Sequence, residues 1–336
     1  MKKQLTRWLQ REWYEKPQPN PFLTPLEVLF RQVVKLRRWS YRHGLKHVSR
    51  FPVPIIVIGN LTVGGTGKTP LVIWLARFLK ERGFKPGIVS RGYGASLGHR
   101  PLQVLESSDA RAVGDEPLLI ARRTGCPVFV FPQRAEATRA LLEKTDCDII
   151  LSDDGLQHYA LNRDLEIAVV DGARRFGNGR CLPAGPLREP VERLNSVDLR
   201  VYSDEAPAGG YAMSLEGGVA VNLQDESVKE LLKSFVGSTF YAIAGIGNPQ
   251  RFFSYLRSFG LEFDCREFPD HHEYRAEDLE FAKGHPVLMT EKDAVKCRAF
   301  AAANFWYVPV EAELPTEFGK SLLTLLKAKY NGPKTT

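Results

Sequence analysis

Short apolar runs alternate along most of this chain with longer stretches in which apolar residues recur every third or fourth position. Runs rich in β-branched residues at 54–58, 87–90, 127–131, 148–151 and 165–170 predict buried strands. The periodic stretches 68–82, 117–123 and 134–144 predict helices between them, the first stopped at Gly83. Apolar strands joined through helices of this length form crossover units. The pattern therefore predicts an α/β fold, a mostly parallel sheet with helices on both faces. A smaller α/β unit follows: strand 239–244, a helix to 259, strand 286–290, helix 291–298, strand 306–310 and helix 316–328. Between the two, alternating runs at 199–203, 211–215 and 219–223 predict β-hairpin structure, a ribbon joining two domains. The expected division is a basic arm over 1–50, a nucleotide-binding domain over 51–197, a β-ribbon linker over 198–224 and a C-terminal α/β domain over 225–330, with a frayed tail from Asn331.

The arm carries a different pattern. Residues 1–20 are mixed and interrupted by Pro17 and Pro19. From Thr24-Pro25 a helix is expected, with Thr24 as its cap. Leu26, Leu29, Phe30 and Val33 make one stripe of this amphipathic helix, and Glu27, Arg31, Lys35, Arg38 and Arg42 make the opposite one. Such a helix either packs on its own domain with a solvated basic face or lies in an anionic lipid surface, with Trp39 and Tyr41 near the headgroups.

Charge changes the picture mainly at that arm. The net charge is +7, yet residues 1–50 hold 12 Lys/Arg against 3 Glu, and the rest holds 34 Lys/Arg against 36 Asp/Glu. A nucleic-acid binder would show a basic stripe across its fold, so no nucleic-acid partner is expected. Five scattered cysteines without CxxC spacing argue against a disulfide framework or a zinc site and suit a reducing cytosol. No apolar run reaches the ~18 residues of a membrane span, and no obligatory protein partner is evident. A cytoplasmic protein that touches a membrane fits these features.

The chemistry starts where strand 54–58 ends. Thr62-Val63-Gly64-Gly65-Thr66-Gly67-Lys68-Thr69 is a glycine-rich turn that opens a helix, the context a phosphate-binding (P-loop) site needs. Its N–H groups can face an anion, with Lys68 against the β/γ-phosphates and the Thr69 hydroxyl on Mg²⁺. Thr62 stands where the usual pattern has glycine. An ordinary strand-to-helix turn is the competing reading. Asp153-Asp154 follow strand 148–151 and suit a Mg²⁺ holder or a capped turn. Gly114-Asp115-Glu116-Pro117 reads equally as acids favoured by a helix dipole or as a proton acceptor beside a metal ligand. Ser90-Arg91-Gly92-Tyr93-Gly94 is a loop at a strand's C-terminal end, where α/β sheets gather ligands. Phe268-Pro269-Asp270-His271-His272 offers an acid/base histidine or a surface loop. Gly245-Ile246-Gly247 lacks the third glycine of a dinucleotide fingerprint and reads as a tight turn. Thr290-Glu291-Lys292-Asp293-Ala294 fails the spacing of a guanine-reading motif, which favours ATP, and otherwise reads as a helix start with mixed charges.

Together these segments, with Leu182-Pro183-Ala184-Gly185-Pro186-Leu187-Arg188-Glu189-Pro190 and Asp153-Asp154-Gly155-Leu156-Gln157-His158, resemble the tetraacyldisaccharide 4′-kinase (lipid A 4′-kinase) family from about Thr24 to the last helix. The Thr62 departure is shared with that family. The resemblance implies a P-loop NTPase-type domain joined by a β-ribbon to a smaller α/β domain. It implies ATP- and Mg²⁺-dependent phosphorylation of the 4′-hydroxyl of tetraacyldisaccharide 1-phosphate by a protein peripheral to the cytoplasmic face of the inner membrane. It also implies Asp115 as general base paired with the histidine after Asp270, His271, across an interdomain cleft, with Glu116, Asp153 and Asp154 organising Mg²⁺. A P-loop kinase or ligase acting on a soluble metabolite, or a nucleotide-operated metallochaperone or switch, would carry the same loop. The former needs no membrane arm, and the latter needs metal-ligand clusters that the scattered Cys and His do not supply.

Overall fold

The structure, a computed structural model, describes residues 2–16, 18–92 and 98–330. Tyr93 and Gly94 of the glycine-rich loop and the expected tail after 330 lie outside the described residues. Two helices, α1 (Lys2–Tyr14) and α2 (Thr24–Arg42), precede the first strand. Then follow β1 (Ile55–Gly59), α3 (Lys68–Lys80), β2 (Pro86–Ser90), β3 (Leu102–Val104), α4 (Ala110–Val113), α5 (Asp115–Thr124), β4 (Val128–Val130), α6 (Arg134–Lys144), β5 (Ile149–Ser152) and β6 (Leu165–Val170). The chain continues through β7 (Leu199–Ser203), β8 (Tyr211–Glu216), β9 (Val219–Asn222), β10 (Lys229–Leu231), β11 (Tyr241–Ala244), α7 (Pro249–Arg257) and β12 (Asp264–Glu267). It closes with β13 (Val287–Thr290), α8 (Glu291–Cys297), β14 (Phe305–Val308), β15 (Glu311–Glu313) and α9 (Thr316–Tyr330).

Among the described residues the first sheet has nine strands in the order β15-β8-β7-β6-β1-β5-β2-β4-β3, antiparallel only at its two edge strands. Its central strand β1 is buried along its whole length. Ile56 and Ile58 face a core built with Leu71 and Leu75 of α3 and Ile120 of α5. Ile55 and Val57 point the other way, into a core with Leu141 of α6, Leu156 and Leu187. An apolar layer on each face is what a near-continuous β-branched strand requires. The second sheet has the order β10-β9-β14-β13-β11-β12, parallel from β14 to β12.

The join between the sheets differs from the expected hairpin. Strands 199–203 and 211–216 extend the first sheet in parallel, and 211–216 does not pair with 219–222. The ribbon is made with a distant partner instead: β8 pairs with β15 and β9 pairs with β14, all antiparallel. Two chain crossings, 211–222 and 305–313, thus connect the units. The C-terminal boundary moves as well. Helix α9, expected in the second domain, puts Phe318, Leu322 and Leu326 into the same core as Ile56 and Leu71. The polar, exposed strands β10 and β12 and the three-residue β3 had no sustained apolar run to announce them.

Helix α1 was not expected at all. Trp13 fastens it: the ring is buried, its Nε1 donates to the Pro183 carbonyl at 2.9 Å, and its own carbonyl accepts from Asn178 N at 2.8 Å. Helix α2 turns its mixed face inward. Glu27 is buried, accepting from Cys181 N at 3.3 Å, and Phe30 packs on the core around Leu187. Phe30 therefore belongs to the docked face rather than to the free apolar stripe. Thr24 does not cap the helix, which begins after Leu23. Leu26, Leu29, Val33 and Leu36 face outward, Leu36 with 64% of its surface exposed. Among the described residues no helix is long and apolar enough to cross a membrane.

Phe318 is fully buried against Trp74 and Tyr211. Phe318→Ala should lower the unfolding free energy by about 3–5 kcal/mol in denaturant titration. A loss below about 1 kcal/mol would mean that α9 is not part of the first core.

Candidate active site

The phosphate loop leaves β1 at Gly59 and enters α3 through Gly67, whose φ of 86° suits glycine. Asn60 is buried under the turn, donating to the Thr62 carbonyl at 2.8 Å and accepting from Lys68 Nζ at 3.3 Å. Thr62, in place of the usual glycine, is buried and bridges to Leu187. Val63 N donates to the Pro186 carbonyl at 2.9 Å. The irregular 172–190 stretch is thus a brace behind the loop. Val63, Gly64, Gly65, Gly67, Lys68 and Thr69 line a cleft of about 740 Å³, while Thr66 is buried with its hydroxyl unpartnered among the described residues.

Carboxylates gather at the strand ends beside this loop. Asp153, after β5, is buried and accepts from Ser90 Oγ at 2.9 Å. Its other oxygen has no partner among the described residues. Burial, with Glu116 and Asp154 adding negative charge, pushes the Asp153 carboxyl up. Asp154 takes a left-handed backbone (φ 48°) and meets Lys68 at 3.4 Å and Arg188 at 3.2 Å. Burial alone would raise its pKa, but Lys68 and Arg188 hold it well below the usual range. No group of three or more His, Cys, Asp or Glu side chains among the described residues is arranged to hold a metal unaided. The donors still fit Mg²⁺. All are hard oxygens, Asp153 has a buried oxygen to spare, and Mg²⁺ is ordinarily held by one or two carboxylates with water and phosphate.

Across the cleft stands the second sheet. Gly245-Ile246-Gly247 follows β11, and a Cβ on Gly247 would come within 2.8 Å of Gly65 N. This tight turn therefore lets the second domain touch the phosphate loop. On the first domain Asp115 is the opening residue of α5, 5% exposed, accepting from Glu116 N at 2.8 Å. His271 reaches over from the second domain and places Nδ1 3.1 Å from both Asp115 oxygens. Its backbone is left-handed, φ 58°. His272 instead bonds Asp278 at 3.0 Å and stacks on Phe268. Lys296 and Lys292 lie 3.6 and 3.9 Å from Asp115 Oδ2. Burial pushes the Asp115 carboxyl up, but His271 and the lysines outweigh it and bring it to about 2. Burial and the Lys292 charge lower the imidazole pKa, but the Asp115 hydrogen bond together with the Asp115 and Asp270 charges outweighs them, so His271 ends above its usual value.

The structure thus gathers Lys68, Thr69, Asp115, Glu116, Asp153, Asp154 and His271 around one cleft. Sequence reasoning did not single out Asn60, Arg188, Asp270 or Lys292 as site residues. Arg188 sits in an irregular loop and Lys292 in an ordinary-looking helix start. The only signal for either was the clustering of their segments with the other motifs.

The Asp115–His271 pair makes stability depend on pH from two sides. Asp115 is depressed from 3.8, so its contribution is full above 3.8 and fades as pH falls toward about 2. His271 is raised from 6.5, so its contribution is full below 6.5 and fades as pH climbs through the raised value. In chelator-containing buffer, the stability gap between wild type and His271→Ala should be widest between about pH 4 and 6.5 and narrow on both sides. A gap constant from about pH 3 to 9 would contradict the pairing.

The family model for tetraacyldisaccharide-1-P 4′-kinase matches residues 19–327. The tetraacyldisaccharide 4′-kinase of Nitrosococcus oceani is 54% identical over 317 residues, covering 94% of each chain. That of Methylobacillus flagellatus is 48% identical, covering 97% of this chain and 98% of the relative. The crystal structure of the apo form of LpxK from Aquifex aeolicus, in complex with ATP, superposes with a TM-score of 0.75 at 27% identity, over 90% of this chain and 98% of that one. Full-length identity near one half, the same two-sheet fold and the phosphate-loop cleft agree, and the chain belongs to the tetraacyldisaccharide 4′-kinase family.

Proposed function

We propose that this protein transfers the γ-phosphoryl group of ATP to the 4′-hydroxyl of tetraacyldisaccharide 1-phosphate, a step of lipid A synthesis, at the cytoplasmic face of the inner membrane. The observation that carries the reading is the Asp115–His271 pair set opposite the phosphate loop in one cleft. Phosphoryl transfer asks a protein mostly for positioning and charge neutralisation. Loop N–H groups and Lys68 bind the β- and γ-phosphates. Asp115, oriented by His271, accepts the proton of the attacking sugar hydroxyl. Arg188, tied to Asp154, lines the nucleotide side of the cleft. Thr69, Glu116, Asp153 and Asp154 would hold Mg²⁺, which when bound neutralises phosphate charge. The second domain, reached through two strands, closes over the substrates and excludes water.

The acyl chains of such a substrate stay in a bilayer, and α2 provides the contact. Its outward Leu26, Leu29, Val33 and Leu36 form an exposed apolar stripe, with Arg31, Lys35, Arg38 and Arg42 on the opposite side of the helix, a basic amphipathic helix suited to an anionic interface. No nucleic-acid or obligatory protein partner enters this reading.

Labelled γ-phosphate should pass from ATP to tetraacyldisaccharide 1-phosphate in mixed micelles. Folded protein that forms no labelled lipid would overturn the proposal. Asp115→Ala should lower kcat by ~100-fold or more while leaving ATP affinity within about threefold. Equal loss of both would make Asp115 a nucleotide or metal ligand. Deleting the arm would also remove Trp13 and Phe30, so substitution of outward residues is the sharper membrane test. Leu29→Gln/Val33→Gln/Leu36→Gln should cut association with anionic liposomes by at least about tenfold without lowering the melting temperature. Unchanged association would place the membrane contact elsewhere.

A further inference from the structure

Two lysines stand in matching positions on opposite sides of the cleft. Lys68 of the phosphate loop lies 3.4 Å from Asp154. Lys292, in the first turn of α8 on the second domain, lies 3.0 Å from Glu116, 3.4 Å from Asp270 and 3.9 Å from Asp115. Its side chain is 15% exposed and lines the cleft. A cation so far from water needs compensation. Burial lowers its pKa, but Glu116, Asp115 and Asp270 more than reverse this and keep it charged.

A merely structural tie between the domains does not need this lysine. Arg123 with Glu291 already pairs α5 to the same turn of α8, and Lys296 anchors to Asp293 at 2.8 Å deeper in the second domain. Lys292 differs from both in facing the cleft. Each cleft lysine, moreover, rests on a carboxylate proposed above as a Mg²⁺ holder, Asp154 for Lys68 and Glu116 for Lys292. A divalent cation competes with an ammonium for such an oxygen, and the displaced ammonium then finds its counter-charge on phosphate.

From this placement we infer that Lys292 is a catalytic residue, a second phosphate-binding cation that the C-terminal domain brings against the phosphoryl group in transfer, and that in the free enzyme it occupies Glu116 in place of the metal. The inference rests on the kinase reading above. In the step concerned, the acceptor oxygen forms a bond to the γ-phosphorus and its proton passes to Asp115. The bond from that phosphorus to the β,γ-bridging oxygen breaks, and ADP leaves with the electron pair. Lys292 and Lys68 then flank the equatorial oxygens, where charge spreads.

Lys292→Met and Lys292→Arg test this, with melting temperatures measured alongside. Lys292→Met should lose ~100-fold or more in kcat, with KM for ATP changed by less than about threefold, and Lys292→Arg should recover part of the loss. Mn²⁺ binding to nucleotide-free enzyme, followed by electron paramagnetic resonance, should be about three- to tenfold tighter in Lys292→Met than in wild type, because the competing ammonium is gone. In a Glu116→Gln background the same change should give no such gain. The inference fails if Lys292→Met keeps kcat within about threefold of wild type, if kcat and ATP affinity fall in parallel, or if Mn²⁺ binds no more tightly. Failure of the kinase reading itself would show separately, as wild-type enzyme forming no labelled lipid, while the Mn²⁺ comparison needs no acceptor.

Discussion

A buried carboxylate cannot stay charged without counter-charges, and at Asp115 those charges come from the other domain. Asp115 and Glu116 open α5 of the first domain, while His271, Lys292 and Lys296 all belong to the second. Removing one side of such an arrangement leaves the other side buried and unpaired. The cleft is therefore a joint product of both sheets. Neither half contains a complete site: one has the phosphate loop and the carboxylates, and the other has the histidine and the cleft-facing lysine.

The rest of the architecture serves that meeting. β1 is held from both faces, which fixes the start of the phosphate loop. The 180–188 stretch braces the loop from behind through Leu187 and Pro186, and Trp13 and Glu27 tie the two N-terminal helices to the same stretch. Helix α2 and the phosphate loop thus share one support. On the far side, the glycine turn after β11 lets Gly247 come against Gly65. The two-strand ribbon, with α9 returning to the first core, makes the connection between the domains.

The central strands and their helices were legible because burial on both faces demands unbroken apolar runs, as in Ile55–Ile58 and Leu165–Val170. The phosphate loop was legible for a local reason, since glycine and Lys-Thr must stand at fixed offsets. What escaped depends on distant pairing. α1 is polar through much of its length and is secured by the contacts of Trp13 with Pro183 and Asn178. β15 exists because β8 lies beside it, so 211–216 and 219–222 imitate a hairpin that does not form. Lys292 looked like one charge among several at a helix start. Only the fold brings it against Glu116, more than 170 positions away in sequence. The choice between adjacent histidines is likewise tertiary: His271 points at Asp115, and His272 is occupied by Asp278.

Whether Asp115 and His271 work as one unit across the cleft is measured directly by a double-mutant cycle on kcat. If His271 acts by orienting Asp115, then Asp115→Ala/His271→Ala should be no slower than Asp115→Ala alone by more than about threefold, although each single change is costly. Losses that multiply in the double variant would show two independent contributions and contradict a base completed by the second domain.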